Sequence, residues 1–315
     1  MSAPTVPVPT SHPRPSAHLP KQAGVKSWLM ALRPKTLTAA VVPVVVATGL
    51  VHAEKHEVLW WISIFALLSS IFIQIGTNLV NDAIDFNRGA DTETRTGPRR
   101  VTQSGLLTYK QVMFGALFSF FLALCLGIPL VFQGGWPIVA IGVISLALGY
   151  SYTGGPFPLA YVGLGDLFVI LFFGLVAVSG TFLLQTGAIT ASALVAGLQV
   201  GCLATVLIAV NNLRDSPQDK LVSKKTLAVR FGVTFSRIEI AMMVLIPFLL
   251  QAFWFWRGQL IAAALPFLSL PIGFVLIRGV IKTPPSPLYN RFLGMGAGLQ
   301  ISFGILLAVG LWIAG

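Results

Sequence analysis

The chain has 315 residues, of which 55% are apolar and only 10% charged, and its mean hydropathy is +0.83. Soluble domains carry about 25% charged residues, so the composition excludes one and gives an all-α polytopic membrane protein whose partner is the lipid bilayer. A net charge of +11 would suit nucleic acid, but no basic soluble domain exists to present it, and nucleic acid is excluded as a partner.

In chain order, residues 1–26 hold Pro4, Pro7, Pro9, Pro13, Pro15 and Pro20 among Ser, Thr and His, without an apolar stretch. They read as a disordered cytoplasmic tail rather than a signal peptide, and residues 27–315 as one transmembrane domain. About 20 apolar residues cross a bilayer core, and nine such runs follow, at 36–53, 58–81, 110–132, 136–153, 163–185, 190–212, 236–256, 258–279 and 293–313. With the N-terminus inside, all but Lys55 and Arg257 of the 21 Lys and Arg residues fall on the inner side. That bias sets the orientation, in an inner (cytoplasmic) membrane. Cys125 and Cys202 lie singly within spans, and the four His residues sit in the tail or first outer loop. Neither type offers metal-ligand spacing.

Six of the ten acidic residues are Asp82, Asp85, Asp91 and Glu93 after the second span, and Asp215 and Asp219 after the sixth. Carboxylates near a bilayer are costly unless they pair or bind a cation. Asn78 precedes Asp82 by four residues, and Asn211 precedes Asp215 by four. This echo, four spans apart, gives two four-helix halves plus a ninth helix around a central cavity, with both acidic ends at one membrane face. Residues three or four apart share a helix face, so Asn78, Asp82 and Asp85 form one stripe and Asn211, Asp215 and Asp219 another. Pro217, however, predicts that the sixth span ends near Asp215 and leaves Asp219 on the loop.

Oxygen ligands without His or Cys select a hard cation, and Mg²⁺ favours one or two carboxylates together with phosphate oxygens and water. The missing ligands are those of a substrate diphosphate, which Arg99, Arg100, Arg214 and Lys224 are spaced to neutralise. Helix-end carboxylates paired to loop arginines would leave the repeated spacing unexplained. An ion-coupled transporter, the alternative outside enzymes, fits poorly with acids that lie at helix ends beside basic loops.

These motifs resemble the UbiA superfamily of intramembrane aromatic prenyltransferases, in its 1,4-dihydroxy-2-naphthoate branch of menaquinone biosynthesis. The resemblance rests on Arg33-Pro34-Lys35-Thr36, on Asn81-Asp82-x-x-Asp85 with Gly89-Ala90-Asp91 and Thr96-Gly97-Pro98-Arg99-Arg100, on Tyr152-Thr153-Gly154 with Tyr161-Val162-Gly163-Leu164-Gly165-Asp166, and on Asn211-Asn212-x-Arg214-Asp215-x-x-x-Asp219 with Lys224-x-Thr226-Leu227. It implies a transferase of polyprenyl groups that loads Mg²⁺ on Asp82, Asp85, Asp91, Asp215 and Asp219, with Lys35 as a catalytic cation. Arg33, Asn78, Asn81, Arg99, Arg100, Tyr152, Asp166, Asn211, Asn212, Arg214 and Lys224 are the implied substrate contacts. Read without the family, Asp166 serves equally as the N-cap of the fifth span. The implied substrates are a polyprenyl diphosphate and an aromatic acid, 1,4-dihydroxy-2-naphthoate, with 4-hydroxybenzoate as the alternative acceptor. The sequence leaves the oligomeric state open.

Overall fold

The computed structural model describes residues 24–89, 91 and 96–315, which are all helix and loop without a strand. The proline-rich tail through residue 23, and Ala90, Glu93 and Arg95 of the first loop, lie outside the described residues. The helix that follows the tail begins at Val25, so Val25 and Lys26, read as tail, are helical.

The elements are α1 (Val25–Leu32), α2 (Thr38–Ala53), α3 (Trp60–Asn87), α4 (Tyr109–Gly134), α5 (Trp136–Ser151), α6 (Gly165–Val169), α7 (Ala177–Thr186), α8 (Ala191–Leu221), α9 (Leu227–Leu249), α10 (Gln251–Trp256), α11 (Leu260–Ala264), α12 (Leu270–Lys282) and α13 (Tyr289–Ala314). Seven helical stretches are long and apolar enough to cross a membrane, and the pair Val25–Thr36 and Thr38–Ala53, bent by 51°, makes an eighth. The predicted span at 136–153 is the shorter apolar helix α5, of 16 residues. All nine predicted runs are therefore helical, while the described residues give seven to eight full spans.

Helix α8 is the axis of the molecule. It packs against α9 and α13, and α13 packs in turn on α2. Val200, Leu203, Val206, Val210 and Leu213 of α8 join Leu50, Val244, Phe303 and Leu307 in the largest apolar cluster. In contrast, α4 presents Phe114, Phe118, Phe121 and Phe132 outward, as lipid-facing surfaces do.

Two departures from regular helix shape the interior. Residues Ile170–Val176, between α6 and α7, are π-helical, a local widening that re-aims the side chains after it. Here Gly174 lies against Gly197 and Gly201 of α8, where a Cβ would press on the Gly197 carbonyl oxygen and come within 2.6 Å of Gly201 Cα. Close approach of this kind is how membrane helices gain packing without a hydrophobic driving force. Gly174→Val is expected to cost about 1–3 kcal/mol, read as a lower melting temperature in detergent.

The second departure corrects the reading of Pro217. Helix α8 does not stop there but runs on to Leu221. Proline removes the N–H that would bond the carbonyl four residues back, but the Ser216 hydroxyl donates to that same carbonyl, Leu213 O, at 2.9 Å. With the freed acceptor satisfied one residue earlier, the helix continues and Asp219 keeps the face of Asn211 and Asp215.

Candidate active site

A cavity of about 620 Å³ runs from the ends of α3 and α8 into the apolar interior. One wall is a continuous stripe on α3: Ser70, Gln74, Asn78, Asn81, Asp82 and Asp85. The opposing stripe on α8 comprises Ile208, Asn211, Asn212, Asp215 and Asp219. The two acidic motifs thus face one space, as the repeated spacing predicts.

The break after α1 places the first cations. Pro34 cannot continue the helix, Arg33 turns into left-handed backbone (φ 51°), and Arg33 and Lys35 both line the cavity. Asn78 pins the break. Its Nδ2 donates to the freed carbonyl of Leu32 at 3.2 Å and to Thr36 Oγ1 at 3.0 Å. Arg33 Nη2 donates to Asn81 Oδ1 at 3.4 Å.

The acids differ in how they are held. Asp82, 2% exposed, accepts the backbone N–H groups of Val101 and Thr102 at 3.3 and 3.1 Å, fastening the loop that carries Arg99 and Arg100. Asp85 accepts from Tyr161 Oη at 2.8 Å and faces Arg100 at 3.4 Å, and Arg100 reaches Asp91 at 3.4 Å with its Nε. Asp215 is gripped by the two-toothed fork of Arg214, Nε to Oδ1 at 2.8 Å and Nη2 to Oδ2 at 2.7 Å, and Thr96 Oγ1 donates to it at 3.1 Å. Asp219 pairs with Lys224 at 3.5 Å through Oδ1, while its buried Oδ2 receives no hydrogen bond from the described residues.

Arg100, Arg214 and Lys224 are thus engaged by the acids themselves. Arg33, Lys35 and Arg99 line the cavity with no ion pair among the described residues. Unpaired cations in a membrane-embedded cavity call for an anion. No three His, Cys, Asp or Glu side chains among the described residues converge to hold a metal unaided.

Two residues expected at the site stand behind its wall. Arg214, 1% exposed, does not line the cavity and acts on it through Asp215. Asp166 likewise sits outside the lining and accepts from Asn212 Nδ2 at 3.4 Å. Nor is Asp166 the N-cap of its span, since Leu164 holds that position and Asp166 lies in the first turn of α6. Tyr152, at the end of α5, lines the cavity.

A match to the UbiA prenyltransferase family spans residues 40–313. The chain belongs to that family. Among the relatives of this UbiA member, a 1,4-dihydroxy-2-naphthoate octaprenyltransferase of Haemophilus influenzae is 30% identical over 92% of this chain and 96% of its own. An enzyme of the same description from Mycobacterium tuberculosis is 38% identical over 69% of this chain and 73% of its own. A solved structure of a UbiA homolog from Archaeoglobus fulgidus, bound to DMAPP and Mg²⁺, shares the fold with a TM-score of 0.59 at 16% identity, covering 90% of this chain and 99% of that one.

Sequence reasoning missed the ties that hold this UbiA site together. Tyr161 joins the two motifs: its hydroxyl serves Asp85, while its ring lies under Arg88 at 4.8 Å and near Lys224 at 5.5 Å. Burial first, and then Asp85, push that phenol up, so it remains a donor at neutral pH. Asn290 of α13 accepts from Arg214 Nη1 at 2.6 Å and donates to Thr96 O at 3.1 Å. The hydrogen bonds among these links cross 76 to 194 residues of sequence, and no local pattern announces them. Tyr161→Phe keeps the ring and deletes the donor, and is expected to slow turnover about tenfold to a hundredfold, in line with one lost charge-assisted hydrogen bond.

Proposed function

We propose that this UbiA prenyltransferase moves a polyprenyl group from its diphosphate to 1,4-dihydroxy-2-naphthoate, releasing diphosphate and CO₂ and yielding demethylmenaquinol. The observation that carries the reading is that two acidic stripes and the unpaired cations Arg33, Lys35 and Arg99 meet at the polar end of one deep apolar cavity. Relatives described as dihydroxynaphthoate octaprenyltransferases supply the acceptor. Its place is the cytoplasmic membrane with the cavity mouth inside, supported by the bias of Lys and Arg to one side.

The residues present fit Mg²⁺ as a shared ligand rather than as a protein-caged one. Their donors are hard oxygens, Asp219 keeps a buried oxygen without a hydrogen bond from the described residues, and diphosphate would complete the coordination. Asp82, Asp85, Asp91, Asp215 and Asp219 would hold it. Bound there, the cation would supply Lewis-acid stabilisation of the negative charge that develops on the departing diphosphate. Arg33, Lys35 and Arg99 neutralise the same diphosphate, and Arg100, Arg214 and Lys224 keep the carboxylates oriented without leaving the site strongly negative.

As the allylic C–O bond breaks, its electron pair leaves with diphosphate and a carbocation forms at the cavity's apolar side. Phe168, Phe172 and Phe173 line that side and exclude the water that would trap it. The electron-rich ring carbon bearing the carboxylate forms the new C–C bond. The C–COO⁻ bond then breaks, its pair restores the aromatic ring, and CO₂ departs without a base to remove a ring proton.

The test supplies the purified protein in lipid with a polyprenyl diphosphate, Mg²⁺ and carboxyl-labelled dihydroxynaphthoate. Prenylated product with equal labelled CO₂, both lost to a chelator and restored by Mg²⁺, is the expected result. Prenylation of 4-hydroxybenzoate instead would replace the acceptor, and cation uptake into vesicles with no diphosphate release would replace the enzyme.

A further inference from the structure

The acidic halves of α3 and α8 are alike, but deeper in the cavity the two helices diverge. One turn below Asn211, α8 offers Leu207 and Ile208. One turn below Asn78, α3 offers Gln74 and then Ser70. Below the acidic motifs, then, one wall stays polar where its counterpart is apolar. An isoprenoid tail gives a polar wall nothing to bind, and burying an amide beside hydrocarbon is unfavourable. The polar wall therefore faces a different ligand.

The hydrogen bonds fix what Gln74 offers. Asn78 Nδ2 faces the Leu32 carbonyl, which can only accept, so Asn78 turns its Oδ1 toward Gln74. Gln74 answers with Nε2, at 3.5 Å. That leaves Gln74 Oε1 as an acceptor, in a side chain 7% exposed that lines the cavity, and no donor among the described residues reaches it. A buried acceptor without a donor is unfavourable, so the wall is matched to a ligand carrying an O–H.

Of the two proposed substrates, the polyprenyl diphosphate has no hydroxyl, whereas the aromatic acceptor has two. We infer that Gln74 is a specificity-determining residue that accepts a hydrogen bond from one ring hydroxyl of the aromatic acceptor and seats the ring against the α3 wall. The inference rests on the dihydroxy-aromatic acceptor proposed above. The geometry suits it. At the helical rise, Gln74 lies about 6 Å deeper than Asn78 and about 12 Å deeper than Asp82. A ring held there lies on the interior side of a diphosphate bound at the acids, where the allylic carbon is released. Withdrawing the hydroxyl proton toward Oε1 also makes the ring more electron-rich as it attacks.

The experiment compares wild type with Gln74→Leu in lipid. It measures KM for each substrate and the inhibition constants of two acids competitive with the acceptor, 1-hydroxy-2-naphthoate and 4-hydroxy-2-naphthoate. The leucine is expected to raise the acceptor KM by about tenfold or more while the donor KM stays put. It should weaken only one of the two monohydroxy acids, the one that keeps the hydroxyl Gln74 holds. Gln74→Glu, which retains an accepting oxygen, should recover part of the acceptor affinity. An unchanged acceptor KM overturns the inference. Equal losses for both acids and the donor also overturn it, because that is how a residue that merely braces Asn78 would behave. A wild type that turns over no hydroxylated aromatic acid defeats the acceptor reading itself, and is seen before any variant is made.

Discussion

Asp85→Asn and Asp219→Asn are each expected to lower turnover by about 10²–10³-fold or more, the scale on which removal of one preorganised transition-state contact is felt. Each replacement keeps the size of the side chain and deletes one negative charge. Asp85 can still accept from Tyr161 as an amide, and Arg100 retains Asp91, so no buried cation is stranded. Lys224 loses its ion-pair partner Asp219 but sits near the Tyr161 ring. Folding should therefore survive while metal and diphosphate handling fails. The readouts are turnover in lipid across a Mg²⁺ titration and, separately, the melting temperature. A normal rate in either variant would remove that residue from the metal-diphosphate site, and a collapsed melting temperature would recast it as structural.

Much of this architecture was legible in the sequence because membrane helices advertise themselves. Apolar runs long enough to span have few other uses, and the Asn-to-Asp spacing of four residues can only put both groups on one helical face. That reasoning located the cavity wall on α3 and α8. It failed at Pro217, because the residue type says helix end while the rescue comes from the Ser216 hydroxyl bonding Leu213 O. It misjudged Arg214 for a different reason. An arginine beside an aspartate can point into a site or fold back on its neighbour, and only the surrounding acceptors, Asn211 and Asn290, decide. The roles of Tyr161 and Thr96, quoted only as parts of motifs, and of Asn290 stayed hidden because their partners are distant in the chain. Gln74 stayed hidden because a lone amide in an apolar run reads as helix packing until the cavity beside it is seen.

Arg214→Leu is expected to be the most destabilising single change at the site, by about 3–5 kcal/mol, the range found when one partner of a buried ion pair is removed. Arg214 is 1% exposed, and its guanidinium serves both oxygens of Asp215 together with the Oδ1 atoms of Asn211 and Asn290. Leucine fills much of the volume but leaves those acceptors short of donors and Asp215 without its fork. Arg214→Lys should recover only part of the loss, because an ammonium cannot span the two carboxylate oxygens and reach the Asn residues as well. The decisive comparison is the pair cycle with Asp215→Asn. If the arginine exists chiefly to hold Asp215, the double variant Arg214→Leu/Asp215→Asn will be more stable than the sum of the single losses, since removing the charge relieves what the missing cation left behind. Additive losses would instead assign Arg214 to the link between α8 and α13 through Asn290. Activity separates from stability in the same set: every variant that disturbs Asp215 should be slow, while Asn290→Ala should lower the melting temperature with a smaller effect on rate, because Asn290 touches the arginine and the Thr96 carbonyl but does not line the cavity.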